Sequence, residues 1–378
     1  MNWPTPRSAY VHVPFCRHRC GYCNFSVIAG RDELADDYLR AIERELLDLR
    51  TPRLVDTLFI GGGTPTHLSL TQLERLFDAV DRWLPRSGSA ETTVEANPED
   101  IDVAKLELLA RRGVNRISLG VQSFALAKLQ TLQRSHSLQM AAAAIEQSAR
   151  LIGNVSIDLI FGAPHETPEQ WRQDLDTALR LPIQHLSTYA LTFEKGTSFW
   201  TQRLRGNLGS ECEEDELEMY QDAIRSTAAA GLQHYEISSF ARESFRCRHN
   251  VAYWHGRGWF AFGPGAASFV DGFRSVNHRS TTTYLRKLLI RGQSPIAQRE
   301  SIDTQQYACE RAAFGIRLIE GIDLSMIREE SGIDVAQLRH RDLERCEQLG
   351  LIEIQASHVR LTTQGILMAD SVATAFLG

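Results

Sequence analysis

Short apolar, β-rich runs recur through the first half of the chain, and each is followed by a longer stretch with helical periodicity. Residues 8–13, 55–60, 92–96, 115–119, 155–161 and 185–191 read as strands. Residues 70–84 show the helical pattern: Leu70, Leu73, Leu76, Phe77, Val80 and Leu84 fall on one face. Thr167-Pro168-Glu169-Gln170 predicts a helix start, with an N-cap, a proline at the first position and a capping-box glutamine. Asn97-Pro98-Glu99-Asp100 has the same form and predicts another, its carboxylates near the positive helix end. Six strand–helix units imply a parallel sheet with right-handed crossovers. Six fall short of the eight of a closed barrel, so the pattern predicts an α/β fold built as an open, partial barrel. Its active site is expected at the C-terminal ends of the strands.

After about residue 231 the pattern changes. Gly256, Gly258, Gly263 and Gly265, with several aromatics, fill residues 253–273, which predicts loops and irregular strands over one edge of the barrel. From about residue 300 come helical runs, then Leu349-Gly350-Leu351-Ile352-Glu353, Val359-Arg360-Leu361-Thr362 and a final helix. Helices followed by a two-stranded wing predict a small, winged-helix-like α+β domain. The expected division is therefore 1–235 for the barrel, 236–299 for the covering segment and 300–378 for the C-terminal domain.

With 43% hydrophobic and 23% charged residues the chain can bury a large core, and its net charge of −6 gives no global attraction to nucleic acid or anionic membrane. Arg339, His340, Arg341 and Arg345 form one local basic cluster, but Asp342, Glu344 and Glu347 interleave with it, as on a solvated helix face. The N-terminal residues carry no apolar signal region, and no run approaches the 18 apolar residues of a membrane span. Of seven cysteines, three crowd into positions 16–23, while Cys212, Cys247, Cys309 and Cys346 are scattered. An odd count with one tight cluster predicts metal binding in a reducing compartment, hence a cytoplasmic protein.

The cluster is Cys16-x3-Cys20-x2-Cys23, directly after the first strand. Three thiolates at this spacing can wrap one [4Fe–4S] cubane and leave the fourth iron open, where four-cysteine sites fill it. A closed zinc site is the alternative, but it needs a fourth ligand, and His12 and His18 are badly placed to supply one. Gly61-Gly62-Gly63-Thr64-Pro65 closes the second strand, and glycines there let backbone approach a ligand. No Gly-Lys-Ser/Thr follows, so it is not a P-loop. Glu95, Gln122 and Asp158 interrupt apolar runs on the third, fourth and fifth strands. Unpaired burial of any one would cost about 1–3 kcal/mol, so each has either a structural hydrogen bond or, taken together, a shared ligand. Arg134, on the helix after Gln122, is within reach of a carboxylate or stands on the surface.

The CxxxCxxC motif after the first strand, with Tyr22 before the last cysteine, resembles the radical-SAM superfamily. That resemblance implies that the open iron chelates the amino and carboxylate groups of S-adenosylmethionine (SAM), which reductive cleavage converts to a 5′-deoxyadenosyl radical. More closely, the stretches Tyr10–Cys16, Gly61–Pro65, Glu95–Pro98, Ser118–Phe124, Asp158–Gly162 and Tyr235–Ser238 resemble the family of oxygen-independent coproporphyrinogen III oxidases (HemN) and heme chaperones (HemW). The resemblance implies that Tyr10 and Tyr22 line the SAM site and that Gly62, Gly63, Thr64, Glu95, Gln122, Arg134 and Asp158 contact SAM.

Two features separate the branches. The oxidase motif continues as CxxxCxxCxC, and Phe25 stands where its last cysteine would be, with only 15 residues before Cys16. His249-Asn250-Val251-Ala252-Tyr253-Trp254 is similar to the chaperone branch's HNxxYW, which implies heme binding by His249. An imidazole is a natural axial ligand, and Tyr253, Trp254, Trp259 and Phe260 offer aromatic faces to a porphyrin. From local sequence alone His249 also reads as an ordinary hydrogen-bonding residue of a loop that closes the barrel, and Cys247 as a buried thiol. The chaperone branch implies heme transfer to an acceptor protein, for instance a membrane respiratory protein, and a reductant for the cluster. The oxidase branch implies decarboxylation of two propionates to vinyl groups.

Overall fold

In the computed structural model, which describes residues 3–206, 208, 209 and 212–378, the six predicted strands are present. They are β1 (Ser8–Val13), β2 (Val55–Gly62), β3 (Arg86–Ala96), β4 (Arg116–Gln122), β5 (Val155–Phe161) and β6 (His185–Ala190), parallel and adjacent in sequence order. Helices α1 (Ala35–Leu47), α2 (Leu70–Trp83), α3 (Val103–Arg111), α4 (Leu126–Thr131) with α5 (Leu138–Leu151), and α6 (Pro168–Leu179) make the crossovers. The stripe on α2 buries Leu73, Leu76, Phe77 and Val80. At α6 the Thr167 hydroxyl accepts from the Gln170 amide and the Gln170 side chain accepts from the Thr167 amide, closing the predicted capping box. Asn97 does not start a helix. Pro98–Asp100 is an isolated 3-10 turn, and α3 begins at Val103 with Asp102 as its cap.

Beyond β6 come α7 (Ser198–Leu204), α8 (Glu213–Ala229) and the hairpin β7 (Gln233–Glu236) and β8 (Ser239–Ala241), whose second strand pairs antiparallel with β6. Helix α9 (Arg248–Trp254) follows. The loop-rich cover expected at 253–273 is instead regular sheet. β9 (Trp259–Phe262) runs parallel to β1 on its free side, and β10 (Ala267–Val270), β11 (Phe273–Asn277) and β12 (Ile296–Ser301) continue antiparallel. The result is one twelve-stranded sheet, ordered β12-β11-β10-β9-β1-β2-β3-β4-β5-β6-β8-β7. The buried Glu45 of α1 pins the added strands, accepting from Gly263 N (2.8 Å), Asn277 Nδ2 (2.6 Å) and the Tyr284 hydroxyl (2.6 Å). Its burial pushes the carboxyl up to about 7, against the pull of those three donors.

One apolar core runs from Ala9 to Leu288, so the segment after residue 236 shares the barrel's interior. Residues 308–376 build a second core around Ile316, Val359, Val372 and Phe376. There Ile352–Gln355 and His358–Leu361 form the predicted wing, and Ile322–Asp323 adds a third strand beside it. Near this module's basic cluster, Arg339 donates to the Phe376 and Leu377 carbonyls and His340 pairs with Glu344, so these side chains have partners within the fold. No helix among the described residues is long and apolar enough to cross a membrane.

Candidate cluster and cofactor site

The loop after β1 is closed on itself. Phe15–Cys16 pairs parallel with Ile28–Ala29, and Cys23 N donates to Cys20 O at 3.1 Å. The end of β2 is fastened to it, with Gly63 N on Val13 O (2.7 Å) and Thr64 N on Phe15 O (2.7 Å). A Cβ on Gly63 would lie 2.6 Å from the Phe15 carbonyl oxygen, and one on Gly62, where φ is +103°, would lie 2.2 Å from the His12 ring. The glycines are therefore required for strand end and loop to meet, a fit of chain against chain that the expected approach to a ligand did not include.

Cys16, Cys20 and Cys23 line one pocket at the C-terminal ends of the strands, together with Tyr22, Gly62, Gly63 and Thr64. Glu95, Gln122, Arg134 and Asp158 line it from β3, β4 and β5 and the loop after α4. The Glu95 carboxylate accepts from Gly62 N at 2.7 Å. Burial raises its pKa to about 7, and the neighbouring Asp158 charge adds to this. Asp158 is raised to about 6 by burial, against Arg116 and hydrogen bonds from Ser187 and Ser118. Gln122 ends β4 at φ +65°, where the register to β5 shifts. A glutamine in the left-handed region is uncommon and marks a backbone held there by its surroundings. Those surroundings include the buried carboxylate of Asp174 on α6, which accepts from the Ser123 hydroxyl (2.6 Å), Phe124 N (2.8 Å) and Lys128 Nζ (3.1 Å).

Arg134 is not a surface residue. It lies just past the end of α4, with its side chain only 5% exposed. It donates to Asn97 Oδ1 (2.7 Å) and Gly120 O (2.8 Å) and approaches Cys20 Sγ at 3.7 Å. Asn97 in turn donates to the Thr64 hydroxyl (2.7 Å), which stands 3.5 Å from Cys16 Sγ. Asn97 is thus a site residue, which the sequence presented as a helix start and as part of the Glu95–Pro98 resemblance without a role of its own. The one signal for it was its place just after Glu95 at a strand end. Glu99, although buried, is drawn down to about 2 by His136 and Arg134.

Two expected residues lie outside this pocket. Tyr10 sits deeper in the barrel, its hydroxyl 2.9 Å from His12 Nδ1, while His12 Nε2 meets the Ser26 carbonyl of the cluster loop. Tyr10 is therefore placed to support the loop through His12. His249 is at the other mouth, on α9, which closes the amino ends of the strands as the Glu91 carboxylate accepts from Arg248 N and His249 N, both at 3.0 Å. Both His249 ring nitrogens are engaged, Nδ1 with the Thr57 hydroxyl (2.9 Å) and Nε2 with the Tyr253 hydroxyl (2.8 Å). The ring is 1% exposed, and burial lowers its pKa to about 3. Both ring nitrogens thus have protein partners, and ligation of iron by His249 requires one of these hydroxyls to be given up.

The donor set fits a [4Fe–4S] cluster and SAM. Cys16, Cys20 and Cys23 bring three thiols to one pocket, beside the Arg134 guanidinium. Burial pushes the Cys16 thiol up to about 12, and iron bound there would favour its thiolate. The buried Arg134 Nε has no hydrogen-bond partner among the described residues.

Residues 10–178 match the family model of the radical SAM superfamily, and residues 302–368 match that of the HemN C-terminal domain. The chain is 37% identical to the heme chaperone HemW of Bacillus subtilis, over 98% of this chain and 99% of the relative. The chain belongs to the HemW family of radical-SAM proteins. HemW of Escherichia coli is 32% identical over 98% of both chains. The HemW fold is shared with the solved coproporphyrinogen III oxidase HemN of Escherichia coli, at a TM-score of 0.86 and 24% identity, covering 99% of this chain and 90% of that one. As a member of the radical-SAM superfamily, this HemW-family chain is of a kind that carries a [4Fe–4S] cluster and SAM.

Proposed function

We propose that this protein holds a [4Fe–4S] cluster on Cys16, Cys20 and Cys23, binds SAM against it, and carries heme to an acceptor protein. The observation that carries the reading is the full-length match to heme chaperones. When bound, the cluster supplies an open iron and one-electron reducing power. Arg134, beside Cys20 Sγ, lends positive charge to the thiolates, and the Thr64 hydroxyl is poised at Cys16. Gly62 and Gly63 leave room for the amino end of SAM, while Glu95, Gln122 and Asp158 would take its polar and cationic groups. Tyr22 walls the same pocket.

A cleft of about 850 Å³ opens directly on this pocket, with Tyr22, Glu95, Gln122 and Asp158 lining both. Phe161, Tyr189, Tyr220 and Ile237 line its barrel side, and Met368 and Arg317 its C-terminal side. The size is within the range of about 300–1,000 Å³ for sites of organic ligands. Aromatic walls suit a macrocycle, a thioether is an axial-ligand type, and a guanidinium pairs with a propionate. Its size, aromatic walls and position beside the cofactor pocket support this cleft as the heme site of the proposal.

The test is made on anaerobically reconstituted protein. Heme titration followed in the Soret band should give one bound heme. Incubation with SAM, reductant, coproporphyrinogen III and cell extract as electron acceptor, with porphyrins read by mass spectrometry against an active oxidase, should give no decarboxylated product. Loss of two carboxyl groups would make the protein an oxidase, and absence of heme binding would end the carrier reading.

A further inference from the structure

Beside the cluster loop lies a second concavity of about 430 Å³, which meets the cleft at Asn24 and Phe25. Arg19, Lys195 and Arg279 line it, no carboxylate does, and all three cations are exposed. Two are anchored to the loop itself: Arg19 Nη2 donates to Cys23 O at 3.3 Å, and Arg279 donates to Asn24 O. A guanidinium has five N–H donors, so each keeps others for a partner. Helix α7 abuts the same loop, with Phe199 N on Gly21 O at 2.9 Å, and carries Arg203, whose guanidinium lies 4.6 Å from the Phe193 ring. At the rim Phe25 is 62% exposed. A large aromatic ringed by charge is the anatomy of a protein interface. The cleft on the other side of Phe25 is lined by Glu194, Glu213 and Asp370. The two faces are thus opposite in charge, on a chain whose net charge is −6.

We infer that this basic face docks an acidic one-electron carrier protein that reduces the cluster. The inference rests on the proposed cluster at Cys16, Cys20 and Cys23. Asn24 and Phe25 follow Cys23 directly, so their Cα atoms lie within about 7 Å of its own along the chain. A carrier seated here stands next to the cluster without entering the cleft. One electron leaves the carrier, which is oxidised by one unit, and the cluster is reduced by one; no proton or bond need move. Of the two adjoining concavities, the one lined by Arg19, Lys195 and Arg279 without a carboxylate is the one that matches an acidic carrier in charge.

The experiment uses the full-length chain and a reduced acidic flavodoxin as the probe. Binding is measured by titration calorimetry on the cluster-free chain, and cluster reduction by the bleaching of visible absorbance after reconstitution. Lys195→Glu/Arg203→Glu should weaken binding at least tenfold and slow reduction by flavodoxin to a similar degree. Photoreduction by a neutral deazaflavin should be unchanged, and so should flavodoxin binding in the Arg341→Glu/Arg345→Glu control. Raising the ionic strength from about 0.02 M to about 0.2 M should weaken wild-type binding, since that shortens the screening length below the span of an interface. Equal binding of variant and wild type, or equal loss in the control, would overturn the proposal. Failure of the cluster reading shows separately, as a reconstituted chain without visible absorbance.

Discussion

Glu95 and Asp158 are carboxyls that the barrel holds partly starved of water, and their chemistry follows from that. Glu95, raised to about 7, retains a proton in the folded, cofactor-free protein over a pH range in which the unfolded chain has lost it. Its ionised form therefore costs stability above pH 7, and the cost fades as pH falls toward about 4.5. Cluster-free Glu95→Gln should melt a few degrees above wild type at pH 8, with the gap closing by pH 5. SAM is cationic at its sulfonium, so wild-type affinity should fall as pH is lowered from 8 to 6, and equilibrium dialysis should show a shallower dependence in the variant. His249→Ala would leave the Thr57 and Tyr253 hydroxyls without their partner, at a cost of about 1–3 kcal/mol in denaturant midpoint experiments. Heme affinity unchanged in a folded His249 variant is the outcome the cleft reading expects. Site residues close in sequence, the three cysteines and three glycines, were legible because their spacing is itself the geometry. Asn97 was not, since Asn-Pro-Glu-Asp is equally good as a helix start, and only the folded chain brings its amide to Arg134 and Thr64. His249 was visible as a motif, but its partner Thr57 lies 192 residues away.

The strand–helix units were legible for a related reason. Each crossover carries its own caps and its own apolar stripe, as α2 and α6 show. Thr167→Ala should cost about 1 kcal/mol by removing the side-chain half of the α6 cap, measurable as a lowered unfolding midpoint with the cofactor site unaltered. By contrast β9–β12 are Gly- and aromatic-rich and gain their regularity by pairing with β1 and by hanging on Glu45, neither of which local periodicity reports. The junction of β2 with the cluster loop is the tightest of these long-range fits. Gly63→Ala places a methyl group 2.6 Å from the Phe15 carbonyl oxygen, so β2 and the loop must part. SAM affinity should drop at least tenfold, and three competent cysteines should still assemble iron and sulfide. Retained wild-type affinity would show that the glycine run has no part in the site.

At the scale of the molecule, the barrel is filled from its amino end. Ring centroids step from Tyr253 to His249 (4.7 Å), to Phe59 (5.1 Å) and to Tyr10 (6.1 Å), with α9 sealing the mouth beneath them. The cofactor pocket therefore opens at one end, and that end gives onto the cleft. Such a vestibule imposes a queue: first in is last out. If the proposed macrocycle fills the cleft, SAM seated beneath it should be trapped. Radiolabelled SAM, chased with unlabelled SAM, should exchange quickly from the heme-free protein and at the rate of heme departure from the loaded one.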